Sequence, residues 1–260
     1  MPKPSPALPP PEPPADSWAG LKSFTAARIA LGRTGTSVPL REALAFRLAH
    51  ADARDAVYSE LETERLLAEL QAFGLPVCLV RSQAENRPHY LQRPDLGRRL
   101  HEDSRRTLTE IAPEAADIAL ILADGLSATA LNQHALPLLQ KLLPKLQAAG
   151  FRLAPLVLAE HARVALSDEI GVALHARLAL IMLGERPGLS APDSLGAYFT
   201  YAPRPGLTDE ARNCVSNIRP EGLGYAAAAD KLFLLLQEAL RRQLSGVAMK
   251  DETGLLDSGQ

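Results

Sequence analysis

Short, unbroken apolar runs recur along this chain, and helical periodicity fills the intervals between them. The runs are Pro76-Val77-Cys78-Leu79-Val80, Ile118-Ala119-Leu120-Ile121-Leu122-Ala123, Leu153 to Leu158, and Leu178-Ala179-Leu180-Ile181-Met182-Leu183. Each is too short for a stable helix and includes β-branched residues, so each reads as a strand. Apolarity that is continuous rather than alternating means burial on both faces. Stretches long enough for a helix separate one run from the next. The pattern predicts an α/β fold: a mainly parallel, Rossmann-like sheet with helices on both faces.

The helical stretches can be placed. Pro39 suits a first turn, and Leu40, Ala43, Leu44 and Leu48 recur at helical spacing to open a helical region that reaches Ala72. A second helix, Glu60 to Phe73, carries Leu61, Leu66, Leu67 and Leu70 on one stripe and Glu62, Glu64, Arg65 and Glu69 on the other, with Gly74 closing it. Ser127 caps a helix running towards Gly150, in which Pro137 and Pro144 predict a break or kink. His161 to His175 and Gly224 to Leu244 supply two more, the latter with Leu232, Leu235, Leu236 and Leu240 on its apolar face. The expected organisation is a disordered proline-rich tail over 1–17, a small helical N-terminal subdomain over 18–74, an α/β domain over 75–250 and a polar tail over 251–260.

Composition narrows the class. A chain of 260 residues, 47% of them hydrophobic, can bury a substantial core. A formal charge of −2 provides no overall field towards nucleic acid or an anionic membrane, so neither is expected as a partner. Two cysteines, Cys78 and Cys214, read as reduced thiols in a cytosolic setting. No basic segment followed by an apolar run opens the chain, and no stretch approaches the roughly 20 apolar residues of a membrane span. The expectation is a soluble cytoplasmic protein.

Open parallel sheets bind ligands beyond the carboxyl ends of their strands, and three segments there carry chemistry. Asp124-Gly125-Leu126-Ser127 delivers a carboxylate, a hydroxyl and a helix start to one edge, though any strand-to-helix junction shows the same residue types. In Gly184-Glu185-Arg186-Pro187-Gly188-Leu189, Glu185 can accept hydrogen bonds from a ligand and Arg186 can anchor it, or the two form a plain surface pair. Arg212-Asn213-Cys214-Val215-Ser216-Asn217-Ile218 is dense in hydrogen-bonding groups, with Cys214 either a nucleophile or a packing residue. The six histidines show no His-Glu-x-x-His spacing, and neither a Gly-x-Gly-x-x-Gly turn nor a Walker loop occurs. No catalytic residue or metal ligand is therefore assigned.

Read together, Ala30-Leu31-Gly32-Arg33-Thr34-Gly35, Arg93-Pro94-Asp95-Leu96-Gly97-Arg98-Arg99-Leu100, Asp124-Gly125-Leu126-Ser127, the Gly184 to Leu189 loop and Cys214-Val215-Ser216-Asn217-Ile218 resemble the small (light) subunit of ethanolamine ammonia-lyase. The likeness runs from about Phe24 to about Lys250. It implies a heteromeric carbon–nitrogen lyase that converts ethanolamine to acetaldehyde and ammonia. The large subunit, a barrel, would hold ethanolamine and the adenosyl group, while the small subunit, inactive alone, covers the rest of adenosylcobalamin. Family positions matching Val164 (in Arg163-Val164), Glu185 and Cys214 contact the cobalamin, and those roles are carried over here; Asp124 and Ser127 join them from the loop argument.

The chain lacks Asp-x-His-x-x-Gly, which in some cobalamin proteins puts a histidine on cobalt, so dimethylbenzimidazole is expected to stay there. Relatives can carry an amphipathic N-terminal helix that directs them into a bacterial microcompartment, but a proline-rich tail cannot form one, and encapsulation is not expected. Two other readings stay open: a stand-alone module for a nucleotide-like or corrinoid ligand with Asp124, Ser127 and Glu185 at its mouth, and a hydrolase using Cys214.

Overall fold

The computed structural model describes residues 18–25, 27–111 and 114–249. The tails read over 1–17 and 251–260 lie outside the described residues. No helix among those described is long and apolar enough to cross a membrane. The chain divides into two compact units, Met1–Asp52 and Ala53–Gln260.

In the first unit a 3-10 turn, Ala19–Ser23, precedes the start of helix α1 (Leu40–Tyr58). The Arg28 guanidinium lies 5.4 Å from the Phe46 ring centroid, and Lys22 Nζ meets Glu42 Oε1 at 3.3 Å. The apolar stripe read at Leu40, Leu44 and Leu48 is present on the helix and is exposed.

The second unit is built on a six-stranded sheet. In chain order it holds α2 (Thr63–Gln71), β1 (Val77–Arg81), α3 (Arg87–Gln92), α4 (Glu102–Ile111), β2 (Ala116–Ala123), α5 (Ala128–Ala148), β3 (Leu156–Glu160), α6 (Leu166–Ala173), β4 (Ala176–Gly184), β5 (Leu195–Tyr201), β6 (Asn213–Ile218) and α7 (Tyr225–Arg242). Strand order across the sheet is β1-β3-β2-β4-β5-β6. The four runs recognised in the sequence are β1 to β4, and they pair in parallel, Val77 to Arg81 against Leu156 to Glu160 and Ile118 to Ala123 against Leu178 to Leu183.

The expectation of a mainly parallel, Rossmann-like sheet needs correction, because β5 runs antiparallel to β4 and β6 antiparallel to β5, which makes the sheet mixed. The physical reason lies in the connections. A parallel return requires a crossover of a dozen or more residues, usually helical, whereas the loop from Glu185 to Ser194 contains no helix and simply turns the chain back.

Helices do cover both faces. Period-two alternation sends Leu120 and Leu122 to one side, where Leu158 and Leu180 join Leu66 and Leu70 of α2, Leu131 and Leu142 of α5 and Leu232 and Leu236 of α7. Ile121, Val157 and Ile181 point to the other side, against Leu108 of α4 and Leu166 and Ile170 of α6. Helix α5 runs without a break through Pro137 and Pro144. Each internal proline costs roughly 3 kcal/mol, and buried leucines at about 1.5–3 kcal/mol apiece offset this, among them Leu136, Leu138, Leu139, Leu142 and Leu143.

Candidate functional site

Three loops leave the carboxyl ends of β2, β3 and β4 side by side. Those after β2 and β4 touch backbone to backbone: Leu126 N–H donates to the Gly184 carbonyl at 2.9 Å, and a Cβ at position 184 would run into the Ser127 carbonyl. Asp124 organises the third. Its carboxylate is buried and accepts from His161 N–H and Ala162 N–H, both at 3.0 Å, and from Arg87 Nη1 at 3.2 Å. Burial pushes this carboxyl up from the ordinary aspartate range, against the pull of Arg87 and the two amides.

That grip has a structural effect. His161 is held at φ 55°, in the left-handed region, and α6 begins only at Leu166, so the helix read from His161 to His175 is shorter than expected. Arg163 and Val164 consequently sit on a loop at the sheet edge instead of on a helix.

The three loops enclose a cleft of about 470 Å3, lined by Tyr90, Leu126, Arg163, Val164, Leu183, Gly184, Glu185, Arg186 and Tyr198. Val164 and Glu185 thus meet at one hollow although they come from different strand ends. The Glu185 carboxylate accepts from Ser194 Oγ, from Asn217 N–H at 3.3 Å and from Tyr198 Oη at 3.4 Å. An ionised carboxylate has about four acceptor sites, so capacity remains on Oε1, the oxygen that carries the single Tyr198 bond.

Cys214 is not among the residues lining this cleft and adjoins it only through Tyr198. The segment read as a loop around it is strand β6, and Cys214 stands opposite Tyr198 in the β5–β6 pairing. Although the residue is exposed, its sulfur is crowded enough for desolvation to push the thiol up to about 11, with the Tyr198 hydroxyl opposing and the Glu185 charge adding to the shift. A thiol so placed is protonated near neutrality and is a poor nucleophile. Iodoacetamide labelling of Cys214, followed by peptide mass spectrometry, is expected to be slow at pH 7 and to accelerate about tenfold per pH unit up to about pH 10. Labelling at pH 7 as fast as that of a free cysteine would restore the nucleophile reading.

Asp124 and Ser127 are buried, and their polar atoms are occupied within the protein. Ser127 Oγ caps α5 by accepting from Ala130 N–H at 3.3 Å and donates to the Pro192 carbonyl at 3.1 Å. Both residues shape the cleft without lining it; Asp124 instead borders a neighbouring hollow of about 400 Å3 with Arg87, Glu160 and His161. Sequence reasoning did not single out Tyr90, Arg163 as a site residue in its own right, or Tyr198. The signals for Tyr90 were faint: Asn86 caps α3 through His89 N–H at 2.9 Å, and Pro88 follows it. Another cleft of about 410 Å3 contains Asp168 and Glu169, but Arg212 and Arg105 already satisfy those carboxylates at 2.8 and 2.6 Å.

Comparison with known proteins supplies the context. The family model described as Ethanolamine ammonia-lyase light chain matches residues 15–250. A protein of Ralstonia nicotianae named ethanolamine ammonia-lyase small subunit is 54% identical over 248 residues, which cover 94% of this chain and 92% of the relative. Its namesake in Azotobacter vinelandii is 56% identical over 238 residues, covering 90% and 88%, and that of Pseudomonas syringae pv. tomato 51% identical over 245, covering 93% and 85%.

Proposed function

The chain belongs to the ethanolamine ammonia-lyase small-subunit family, and on that premise we propose that its sheet-edge cleft covers part of an adenosylcobalamin held against a larger catalytic subunit. The observation that carries this reading is the convergence of Val164 and Glu185 on one cleft, whose Tyr198 wall stands opposite Cys214.

The residues suit the group. A corrin ring is fringed with neutral amide side chains that need hydrogen bonds once water is removed. The free acceptor capacity of Glu185 Oε1 suits an amide N–H donor, Val164 and Leu126 present apolar surface to the ring, and the buried Nε of Arg163, which has no partner among the described residues, suits an acceptor. Pockets of about 300–1,000 Å3 enclose drug-sized ligands, and a corrinoid with its nucleotide tail is far larger, so a cleft of about 470 Å3 accommodates only part of it. A second polypeptide then has to cover the rest. When bound, adenosylcobalamin supplies a cobalt–carbon bond weak enough to break homolytically, the radical chemistry by which ethanolamine becomes acetaldehyde and ammonia. This chain binds, orients and excludes water.

Glu185→Gln tests the reading, since it keeps the side-chain volume and removes the charge. In the two-subunit complex, cobalamin binding followed by visible absorbance is expected to weaken about tenfold. An unchanged dissociation constant would remove Glu185 from the cofactor surface.

A further inference from the structure

The sheet edge contains a guanidinium that the fold holds in place but does not pair. Arg163 lines the cleft beside Val164. Its Nε is buried without a hydrogen-bond partner, and among the described residues no carboxylate forms an ion pair with it. The side chain is nevertheless fixed. Its Cζ lies 4.7 Å from the centroid of the Tyr90 ring, which also has the Arg87 guanidinium at 5.1 Å and the His161 ring at 6.2 Å. Tyr90 is fully buried and pinned by its hydroxyl to the Ala162 carbonyl at 3.1 Å. The Arg163 backbone N–H donates to the Gly97 carbonyl at 2.8 Å, and position 97 tolerates no side chain: a Cβ would lie 2.7 Å from the Tyr90 ring and 3.1 Å from Arg163 Cγ. The Gly97 segment quoted from the sequence thus serves to stack Arg163 on Tyr90.

A fixed guanidinium that lines a cleft, stacks on a ring and has no internal counterion among the described residues keeps its hydrogen-bond donors available for an anionic group of a ligand. Planar guanidinium groups match phosphate oxygens through paired N–H bonds. Cobalamin carries one phosphodiester, in its nucleotide tail, while the side chains of its ring are neutral amides. We propose that Arg163 is the anion anchor of the cleft, receiving the phosphodiester of the cofactor's nucleotide tail, an inference that rests on the cobalamin reading above. Tyr90 and Gly97 act through it as positioning residues.

The test compares two corrinoids by visible absorbance titration of the two-subunit complex: cyanocobalamin, which has the nucleotide tail, and dicyanocobinamide, which lacks it. Arg163→Met is expected to weaken cyanocobalamin binding roughly ten- to hundredfold, the effect of losing a charged hydrogen bond, and to leave cobinamide binding unchanged. Arg163→Lys, which keeps the charge and loses the planar fork, is expected to fall between the two and guards against a folding defect in the methionine variant. Equal weakening of both corrinoids, or of neither, overturns the anchor while leaving the cobalamin site intact. If the unsubstituted complex binds neither corrinoid, the cobalamin reading itself fails, and the anchor with it.

Discussion

Asp168→Ala is expected to destabilise the protein by about 3–5 kcal/mol, the typical effect of removing one partner from a buried ion pair. Asp168 and Arg212 form a two-pronged bridge, Nη1 to Oδ1 and Nη2 to Oδ2 at 2.8 Å each, and their side chains are only 2% and 3% exposed. Without Asp168 the guanidinium keeps the Thr200 hydroxyl at 3.0 Å, the Leu207 carbonyl at 3.2 Å and, at 3.5 Å, the Asp209 carboxylate, whose exposure to solvent makes it a weak counterion for a buried charge. Stability of a single domain is about 5–15 kcal/mol, so the loss is a large share of the total. For a domain of this size it corresponds to a fall in Tm of roughly 6–20 °C, readable by circular dichroism. Replacing both partners together, Asp168→Leu with Arg212→Met, is expected to recover much of that fall, because no unpaired charge remains. A single variant that melts within about 2 °C of the parent would show the bridge to be idle. The bridge also bears on the cleft, since it ties the first turn of α6, just after Val164, to the residue immediately before strand β6, on which Cys214 sits.

Why the start of α6 and the whole of β6 are hidden in the sequence while β1 to β4 are plain follows from how each is stabilised. Strands buried on both faces write their environment into the sequence as unbroken apolar runs, as Ile118 to Ala123 does. Strand β6 lies at the sheet edge, and its polar Asn213, Ser216 and Asn217 mask the two residues, Val215 and Ile218, that reach the core. Strand β5 has Gly196 near its start and a register shift between Leu195 and Ala197, and both weaken the strand pattern. The onset of α6 is a tertiary effect: the Asp124 carboxylate, 37 residues away in sequence, binds the His161 and Ala162 amides and fixes a loop in which His161 sits at φ 55°, outside the helical region, so no helix starts there.

The same distinction governs the site. Glu185 was legible because a carboxylate directly after a buried strand marks a sheet-edge loop, but its partners Ser194, Tyr198 and Asn217 belong to strands the pattern did not reveal or to their margins. Asp124 was legible for the same reason, and position alone could not tell that its oxygens face inward to backbone amides. Val164 came from the family resemblance, and Arg163 became informative only when its unpaired guanidinium was seen against Tyr90.

Given adenosylcobalamin and ethanolamine, the purified chain is expected to release acetaldehyde at background level, and addition of the large subunit to restore turnover. General acid–base or nucleophilic catalysis needs a group of suitable protonation state within hydrogen-bond reach of the substrate. At the cleft, the Glu185 carboxylate is held by Ser194, Asn217 and Tyr198 with acceptor capacity left on Oε1, which the cofactor reading assigns to an amide of the corrin ring, and the neighbouring Cys214 thiol is pushed up to about 11. His134, a buried histidine with two side-chain partners, is held between the Tyr225 hydroxyl at 2.9 Å and Asp193 at 3.0 Å on helix α5, outside the cleft lining. A reaction through reactive species also requires a site closed to solvent, and one face of a shallow cleft cannot provide that closure. A coupled assay for acetaldehyde decides the matter: turnover by the chain alone would place the catalytic groups here, whereas turnover that appears only with the second subunit, and in proportion to it up to a fixed ratio, places them on the partner and leaves this sheet edge as the cover.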